Sequence, residues 1–395
     1  MQNRYFDNRT TRRRLLKTSL VGLTGITGSG VFGSAAAQEP DEDVTVITEP
    51  TTITESGIYV LEDNLEHEVS EEPENNYDFD PFIEIDTDSA TDESEIIIDG
   101  QGHEIAGRGY GTAILAQEYH SEPVTVRDLT IRNVTQAIYF EIAGALTLEN
   151  VTITECDRAI SYYDNAELIG KDVTITENGY GISSVRSGVS LTDSTIDNNT
   201  GDGISASYLN LTDTTVSRNQ TGVGIFLGGG TIEDCIIAEN EEYGIDSSDA
   251  YDVAITDTEI SHNGNHGLYI LFSSDWDVQN NAITENAGYG VYIERSTNSQ
   301  ILGNTITGNT EGPIFVSEDS ENITIEDNQT ETKEPDHGAG EEDGQDDNEQ
   351  EDDRDYDNDD TTEEKRKKNK GKHKDERTDK RKGKRKHRKF NNSTC

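Results

Sequence analysis

Residues 282–294 read AITENAGYGVYIE, and this segment contains every part of a pattern that recurs along most of the chain. An apolar residue, Ile283, is followed three residues later by Asn286 and then by the pair Gly290-Val291. Isoleucine or valine returns every 20 to 23 residues, at Ile131, Ile153, Ile175, Ile196, Val216, Ile237, Ile260, Ile283 and Ile306. A fixed period of this length predicts a stack of equivalent structural units.

Within one unit, apolar and polar residues alternate. Leu146-Thr-Leu148 and Val151-Thr-Ile153 each show a period of two over three residues, which is typical of short β-strands. Three such strands in a unit of 20 to 23 residues exclude a helical repeat. We therefore expect an all-β parallel β-helix of about ten coils, with successive coils about 4.8 Å apart around a continuous core.

The asparagine of each unit predicts a hydrogen-bonded ladder inside the stack. It occurs in seven successive units, at Asn178, Asn199, Asn219, Asn240, Asn263, Asn286 and Asn309. An amide side chain can donate to one neighbouring coil and accept from the other, which also satisfies backbone groups at an inward corner. Cys156 occupies the same position one coil earlier. We expect Cys156, Cys235 and Trp276 to be buried side chains.

These repeats, together with the opening segments Thr51–Leu61 and Ile96–Ile105, resemble right-handed parallel β-helix proteins of the pectin-lyase type, in the group with Asn-Gly-Ile repeats. The resemblance covers roughly residues 45–330 and implies the right-handed fold. It implies no single activity, because this superfamily includes lyases, hydrolases, epimerases and binding modules. The Asn-Thr-Asp, Asp-Asp and Gly-His-Gly signatures of the polygalacturonase relatives are absent, and Asn265-His266-Gly267 matches the last only in part.

The charge of the chain is strongly negative. Its 395 residues contain 80 Asp and Glu against 32 Lys and Arg, and only 31% are hydrophobic, which excludes a membrane-embedded protein. Residues 39–330 alone hold 58 acidic and eight basic side chains. This composition resembles the secreted proteins of extremely halophilic archaea, in which molar salt screens the self-repulsion.

The N-terminal residues predict export. Arg12-Arg13-Arg14 matches the twin-arginine pattern, and Ala35-Ala36-Ala37 offers a cleavage site after a weakly apolar stretch. We therefore interpret residues 1–37 as a twin-arginine signal peptide and expect a secreted or cell-surface protein. Residues 38–94 are expected to form the N-terminal cap and opening coils, and residues 95–330 the β-helix proper.

Two oppositely charged segments follow the repeats. Residues 331–364 form an acidic stretch and residues 365–395 a basic one, and neither can build a core, so we expect both to be disordered. Molar salt would abolish most electrostatic affinity for nucleic acid, which argues against that partner. The basic stretch could instead tether the protein to acidic envelope glycans, or fold back on the acidic stretch.

The strand that begins with the Gly-Ile pair is the candidate ligand-binding surface. Its first outward positions are Tyr139, Ser161, Ser183, Ser205, Phe226, Asp246, Tyr269, Tyr292 and Phe315. Aromatic rings in register on a flat sheet can stack on sugar rings, with Glu294 and Arg295 as polar partners. This favours a module that binds extracellular or envelope polysaccharide. The alternative is that sheets simply favour aromatic residues and that a loop or tail covers this face.

A second hypothesis is an enzyme acting on an acidic polysaccharide. Asp246, Asp249 and Asp275 could supply the paired carboxylates of a glycoside hydrolase, roughly 5 to 9 Å apart, and Arg295 could serve as the base of a lyase. With 58 acidic residues in residues 39–330, such a trio is also expected by chance. The constant coil length leaves little chain for the walls of a substrate groove, which favours binding over catalysis.

Metal binding has two candidate sources in the sequence. Asp or Asn occurs three residues before each of the first eight repeat residues, at Asp128, Asn150, Asp172, Asp193, Asp213, Asp234, Asp257 and Asn280. This row could hold calcium, but Asp and Asn also tolerate the left-handed backbone of a tight turn, and we favour that interpretation. His262 and His266 are isolated, and the only methionine is the initiator, so we expect no metal or cofactor other than calcium.

Overall fold

The computed structural model describes residues 44–68, 80–87, 95–116, 122–141, 144–163 and 167–331. The expected signal peptide, the basic segment and all but the first residue of the acidic segment lie outside these ranges, as does Cys395. Across the described ranges, no helix is long and apolar enough to cross a membrane.

The described residues form 33 β-strands. In chain order these are β1 (Val44–Ile47), β2 (Thr51–Ile53), β3 (Gly57–Leu61), β4 (Leu65–Glu66), β5 (Pro81–Ile85), β6 (Ile96–Asp99), β7 (Glu104–Ala106), β8 (Thr112–Ala116), β9 (Val124–Arg132), β10 (Gln136–Glu141), β11 (Leu146–Thr154), β12 (Arg158–Tyr163), β13 (Glu167–Lys171), β14 (Thr174–Thr176), β15 (Tyr180–Thr192), β16 (Thr195–Asp197), β17 (Ile204–Thr212), β18 (Thr215–Ser217), β19 (Val223–Phe226), β20 (Gly230–Glu233), β21 (Ile236–Ala238), β22 (Ile245–Ser248), β23 (Tyr251–Thr256), β24 (Glu259–Ser261), β25 (Leu268–Leu271), β26 (Ser274–Gln279), β27 (Ala282–Thr284), β28 (Tyr289–Glu294), β29 (Gln300–Leu302), β30 (Thr305–Thr307), β31 (Gly312–Val316), β32 (Thr324–Glu326) and β33 (Gln329–Thr330).

Parallel pairing arranges the strands as three faces of a solenoid. The first face contains β2, β5, β8, β10, β12, β15, β17, β19, β22, β25, β28 and β31. The second contains β1, β3, β6, β9, β11, β13, β15, β17, β20, β23, β26, β29 and β32, and the third β4, β7, β9, β11, β14, β16, β18, β21, β24, β27, β30 and β33. The longest strands, β9, β11, β15 and β17, each bend around a corner and contribute to two faces. The expected all-β solenoid of about ten turns is thus confirmed.

The repeat isoleucines occupy one unbroken row on the third face. Ile131 pairs with Ile153, and the pairing continues coil by coil to Ile283 and Ile306. These side chains are fully buried and belong to one continuous hydrophobic cluster. The period of 20 to 23 residues is therefore the length of one turn of the solenoid, and each turn buries its apolar residues against the next.

The seven asparagines lie at the corner between the third and first faces. The Nδ2 of each of the first six donates to the Oδ1 of the next at 2.8 to 3.3 Å. The same Oδ1 also accepts the backbone N–H of the preceding asparagine, and Cys156 N donates to Asn178 Oδ1 at 2.9 Å. Each amide thus satisfies backbone groups that the corner would otherwise leave unpaired.

A second, shorter asparagine ladder lies at the corner between the second and third faces. Asn281 Nδ2 donates to Asn304 Oδ1 at 3.0 Å, and Asn304 Nδ2 donates to Asn328 Oδ1 at 3.0 Å. Serine and threonine hydroxyls serve the same corner in earlier coils, where Ser194 N donates to Thr214 Oγ1. The repeat pattern did not predict this ladder, because asparagine fills the position in only the last three coils.

The row of Asp and Asn residues has a conformational role. All eight residues, from Asp128 to Asn280, have φ between 49° and 57°, in the left-handed region. Asp and Asn adopt this conformation more readily than other side chains, because a short polar group can bond to the local backbone. The turn between the second and third faces therefore explains why one of these two residues occurs in eight successive coils, and why Gly303, with φ 66°, takes the position in the next.

Cys156, Cys235 and Trp276 are buried, as the repeat register predicts. Both thiols are free, and burial raises the pKa of Cys156 to about 12 and that of Cys235 to about 11. Cys235 lies at the corner after β20 rather than within a strand. Trp276 is 1% exposed in β26, and its indole Nε1 has no hydrogen-bond partner among the described residues.

Candidate functional site

Three columns of residues run along the outer side of the first face. The residue before the glycine, or before Ala159 in one coil, forms what we call the pre-glycine column, which contains Arg158, Tyr180, Asp202, Thr221, Tyr243, His266 and Tyr289. The first outward column contains Tyr139, Ser161, Ser183, Ser205, Gly224, Asp246, Tyr269, Tyr292 and Phe315. The second outward column includes Tyr163, Val185, Phe226, Ser248, Leu271 and Glu294.

Phe226 is the one predicted ligand residue whose register differs. Val223 pairs with Ile245 and Phe226 with Ser248, so the equivalent glycine in this coil is Gly222 and not Gly224. Phe226 therefore lies in the second outward column, and Gly224 takes its place in the first. The sequence contains both glycines, and the isoleucine directly after Gly224 favours Gly224 by the repeat pattern. The strand pairing shows that Gly222 is the equivalent glycine, so the corner segment between Asn219 and the strand is shorter than the repeat pattern suggests.

The Phe226 ring lies over Gly224. A Cβ atom at Gly224 would come within 2.6 Å of Phe226 Cε2, so a larger residue there would displace the ring. Because the first outward column has no side chain at this rung, the ring folds across it. Phe226 thereby separates the serines of the column from Asp246 in the next coil.

A pocket of about 300 Å³ opens on the N-terminal side of Phe226. We call it the serine pocket, and it spans β12, β15 and β17. Its lining residues are Arg158, Ile160, Ser161, Tyr180, Ile182, Ser183, Asp202 and Ser205. The ring pair Tyr139–Tyr163, with centroids 5.7 Å apart, stands on the rungs at its N-terminal end. Small side chains between large rings therefore create the concavity without any inserted loop.

The polar groups of the serine pocket are largely unpaired. Among the described residues, the hydroxyls of Ser183 and Ser205 have no hydrogen-bond partner, whereas Ser161 donates to Gln136 Oε1 at 3.1 Å. The Arg158 guanidinium carbon lies 5.6 Å from the centre of the Tyr180 ring and has no ion pair within the described ranges. The pocket thus offers hydroxyls, a cation and an aromatic ring to a polar ligand.

Two carboxyl groups lie at the C-terminal side of the pocket. Burial raises the pKa of Asp202, although hydrogen bonds from the Thr221 hydroxyl and amide oppose this effect. Burial, together with the charges of Asp202 and Glu242, raises the pKa of Asp246 from 3.8 to about 6. Asp246 can therefore hold or release a proton near neutral pH, as an acid–base group must.

The raised pKa of Asp246 predicts a dependence of stability on pH. The folded state binds this proton more tightly than the unfolded state, so stability should fall as pH rises from about 4 to about 6 and stay lower above. Asp246→Asn removes the charge and should raise the free energy of unfolding at about pH 7.5, but not below about pH 4. Urea unfolding at both pH values measures this difference. A variant less stable than the wild type at the higher pH would contradict the prediction.

Six aromatic rings form a cluster on the last rungs of the first face. The aromatic cluster contains Tyr243, His266, Tyr269, Tyr289, Tyr292 and Phe315. Tyr269, Tyr292 and Phe315 occupy consecutive rungs, as the repeat predicts. The pre-glycine members were missed, although an aromatic residue or histidine before the glycine in three successive coils was a readable signal.

The rings of the aromatic cluster stack on one another. Tyr292 lies between His266, at 4.7 Å and 9°, and Phe315, at 4.6 Å and 20°. Tyr243 and Tyr269 stack at 5.2 Å and 18°. Both faces of Tyr292 are therefore occupied by neighbours, and a sugar cannot stack on them. The structure gives this cluster a packing role and leaves ring edges and phenol hydroxyls for a ligand.

His266 is held in its neutral form. Its Nδ1 accepts the backbone N–H of Tyr289 at 2.9 Å, which places the proton on Nε2. Burial lowers the pKa of His266, with a smaller opposing effect from Glu311. This histidine fixes the corner between two coils and adds no positive charge to the face at neutral pH.

The other predicted catalytic residues do not converge with Asp246. Asp249 follows β22 at the turn to the second face, and Asp275 belongs to β26 on that second face. Within the described chain, no hydrogen bond joins the three carboxylates. Arg295 contacts Glu294 at 3.5 Å and Asp319 at 3.8 Å, and its guanidinium carbon lies 5.3 Å from the centre of the Phe272 ring. An ion-paired guanidinium is a poor general base.

The described residues contain no group of three or more His, Cys, Asp or Glu side chains arranged to hold a metal ion. The left-handed turns explain the Asp and Asn row without a ligand. Calcium binding therefore stays a prediction from the sequence.

The chain belongs to the family of the right handed beta helix region, whose pattern it matches over residues 112–245 and 205–340, together more than half of its length. No curated protein matches it. Among solved structures it is similar to a double mutant of the periplasmic alginate epimerase AlgG, with 13% identity over 74% of this chain and 80% of that one, and a TM-score of 0.55. It is also similar to the A-module of the mannuronan C-5 epimerase AlgE6 of Azotobacter vinelandii, with 15% identity, coverage of 68% and 91%, and a TM-score of 0.51. At identities this low, the similarity shows the shared fold alone and says nothing about activity.

Proposed function

We propose that this protein binds a polysaccharide along its first face, with one sugar residue held in the serine pocket. The observation that carries the proposal is the pocket itself. Its volume of about 300 Å³ is at the lower end of the range for small-molecule sites. The free hydroxyls of Ser183 and Ser205 can bond to sugar hydroxyls, and the exposed Tyr180 ring can contact the apolar face of a sugar.

The arrangement of the face supports an extended ligand. The serine pocket, Asp246 and the aromatic cluster follow one another along the solenoid axis, at about 4.8 Å per rung. A polymer with equivalent units can therefore make contacts beyond the pocket. The two similar structures are named for reactions on alginate or mannuronan, which are polysaccharides, and this supports a carbohydrate ligand.

The proposal includes the place where binding occurs. The twin-arginine pattern and the cleavage site after Ala37 favour export to the cell surface or medium. Residues 39–330 contain 58 acidic and only eight basic residues. This composition favours a protein that functions in concentrated salt, as haloarchaeal secreted proteins do. An envelope or extracellular polysaccharide is then the accessible ligand.

Filling the serine pocket tests the proposal. The full chain, in about 3 M KCl, is titrated with amylose, mannan and curdlan, and with each polymer after oxidation of its C6 hydroxymethyl groups to carboxylates. Ser183→Trp should weaken binding of any retained polymer at least about tenfold, because the indole occupies the ligand volume. Thr231→Trp, at an exposed position on the second face, should leave binding unchanged.

Two outcomes would overturn this assignment. Unchanged binding in Ser183→Trp, with loss in Phe315→Ala, would place the ligand on the aromatic cluster. If the full chain bound none of these polymers, the proposed function itself would be contradicted. A thermal unfolding scan of each variant separates loss of the pocket from loss of the fold.

Catalysis is a second candidate, and Asp246 is the observation that favours it. A carboxyl group with a pKa of about 6 can protonate a leaving oxygen near neutral pH, while the second carboxyl group, Asp202, remains nearby. The same incubations can be assayed for new reducing or unsaturated ends. Ends that appear with the wild type and disappear in Asp246→Asn would make the protein a glycan-cleaving enzyme and not a binding module.

A further inference from the structure

The face is negatively charged where a polysaccharide would continue beyond the serine pocket. Asp202 lines the pocket, and Asp246 lies two rungs further along, a rise of about 10 Å. Glu242 lies next to Tyr243 of the pre-glycine column, and its charge acts on both Asp202 and Asp246. A ligand that follows the solenoid axis must pass these three carboxylates.

Few positive charges oppose them on the described part of this face. Arg158 stands at the opposite end of the serine pocket, over Tyr180. Arg295 is already engaged by Glu294 and Asp319. His266 accepts a backbone hydrogen bond at Nδ1 and is neutral. None of these three described groups is therefore placed to neutralise an anionic ligand beside Asp246.

We infer that the bound polysaccharide is uncharged, and that Asp202 and Asp246 exclude polymers that carry anionic groups. The inference rests on the proposed function, because it concerns the ligand of the same pocket. Like charges that meet in a partly buried site are screened less by salt than charges on an open surface. Asp246 therefore acts as a specificity determinant even in concentrated salt.

The matched polymers test this inference, because oxidation at C6 adds a carboxylate and leaves the backbone unchanged. At about pH 7.5 the oxidised form of any retained polymer should bind the full chain at least about tenfold more weakly than the neutral form. Asp246→Asn should reduce this ratio several-fold. Glu233→Gln, which removes an exposed carboxylate from the second face, should leave the ratio unchanged.

Lower pH provides a second readout on the unmodified protein. At about pH 5 Asp246 is largely protonated, whereas the sugar carboxylates stay charged, so the wild-type ratio should shrink and the Asp246→Asn ratio should change less. Equal or tighter binding of the oxidised polymers, or a ratio unaffected by Asp246→Asn, would overturn the inference. Either result leaves the proposed binding function standing. Failure of all polymers to bind would instead contradict that function.

Discussion

Replacement of Asn240 by alanine is expected to lower the free energy of unfolding by about 3 kcal/mol. The side chain is 1% exposed and lies in the middle of the asparagine ladder. Its Oδ1 accepts from Asn219 N at 3.0 Å and from Asn219 Nδ2 at 3.3 Å, and its Nδ2 donates to Asn263 Oδ1 at 2.9 Å and Val216 O at 3.3 Å. Alanine leaves Asn219 N without a partner, whereas Asn219 Nδ2 still donates to Ile196 O and Asn263 Oδ1 still accepts the backbone N–H of residue 240. Each buried group left unpaired costs about 1 to 3 kcal/mol. Urea unfolding followed by circular dichroism measures the loss.

Asn210→Ala is the matched control for the ladder. Asn210 is exposed on the second face, where its side chain bonds, among the described residues, to the side chains of Ser190 and Thr231 alone. Water can replace both bonds, so the cost should stay within about 0.5 kcal/mol. Equal losses in the free energy of unfolding in the two variants would show that the ladder stabilises the fold no more than exposed hydrogen bonds do.

Trp276→Ala should destabilise the protein by about 3 to 5 kcal/mol, because it empties the space of the largest fully buried side chain described. Trp276→Phe should cost much less, under about 1.5 kcal/mol. Phenylalanine fills most of the volume and removes an indole N–H that has no partner among the described residues. Because Trp276 is the only tryptophan, far-UV circular dichroism must replace fluorescence as the probe. A phenylalanine variant as unstable as the alanine variant would indicate a buried water at Nε1.

The fold could be predicted because most coils repeat the same residue types at the same positions. An inward isoleucine or valine, a corner asparagine and a left-handed Asp or Asn recur at fixed distances in most coils, and each has one physical explanation wherever it occurs. Ile283 and Asn286 therefore predict the positions of Ile306 and Asn309. The second ladder was missed because Asn281, Asn304 and Asn328 span too few coils to establish a period.

The site was less predictable, because it depends on how side chains meet and not on where the backbone places them. The sequence located Tyr269 and Tyr292 on adjacent rungs, but stacking with Tyr243 and His266 is set by rotamers across two columns. The serine pocket exists because Ser183 and Ser205 are too small to fill the space between the larger rings. Small residues such as these form no distinctive sequence pattern, so the pocket could not be predicted. The choice between Gly222 and Gly224 needed the strand pairing itself.

Because the coils are structurally equivalent, the gene can gain or lose a whole repeat without disrupting the fold. Asn240, Asn263 and Asn286 are joined to their neighbours by the same bonds, so a duplicated or deleted turn between two of them would rejoin the ladder without a mismatch. Each such event would alter the length of the solenoid by one step of about 4.8 Å. Gain or loss of a whole repeat would therefore lengthen or shorten the binding surface in whole steps, while the asparagine ladder stays continuous.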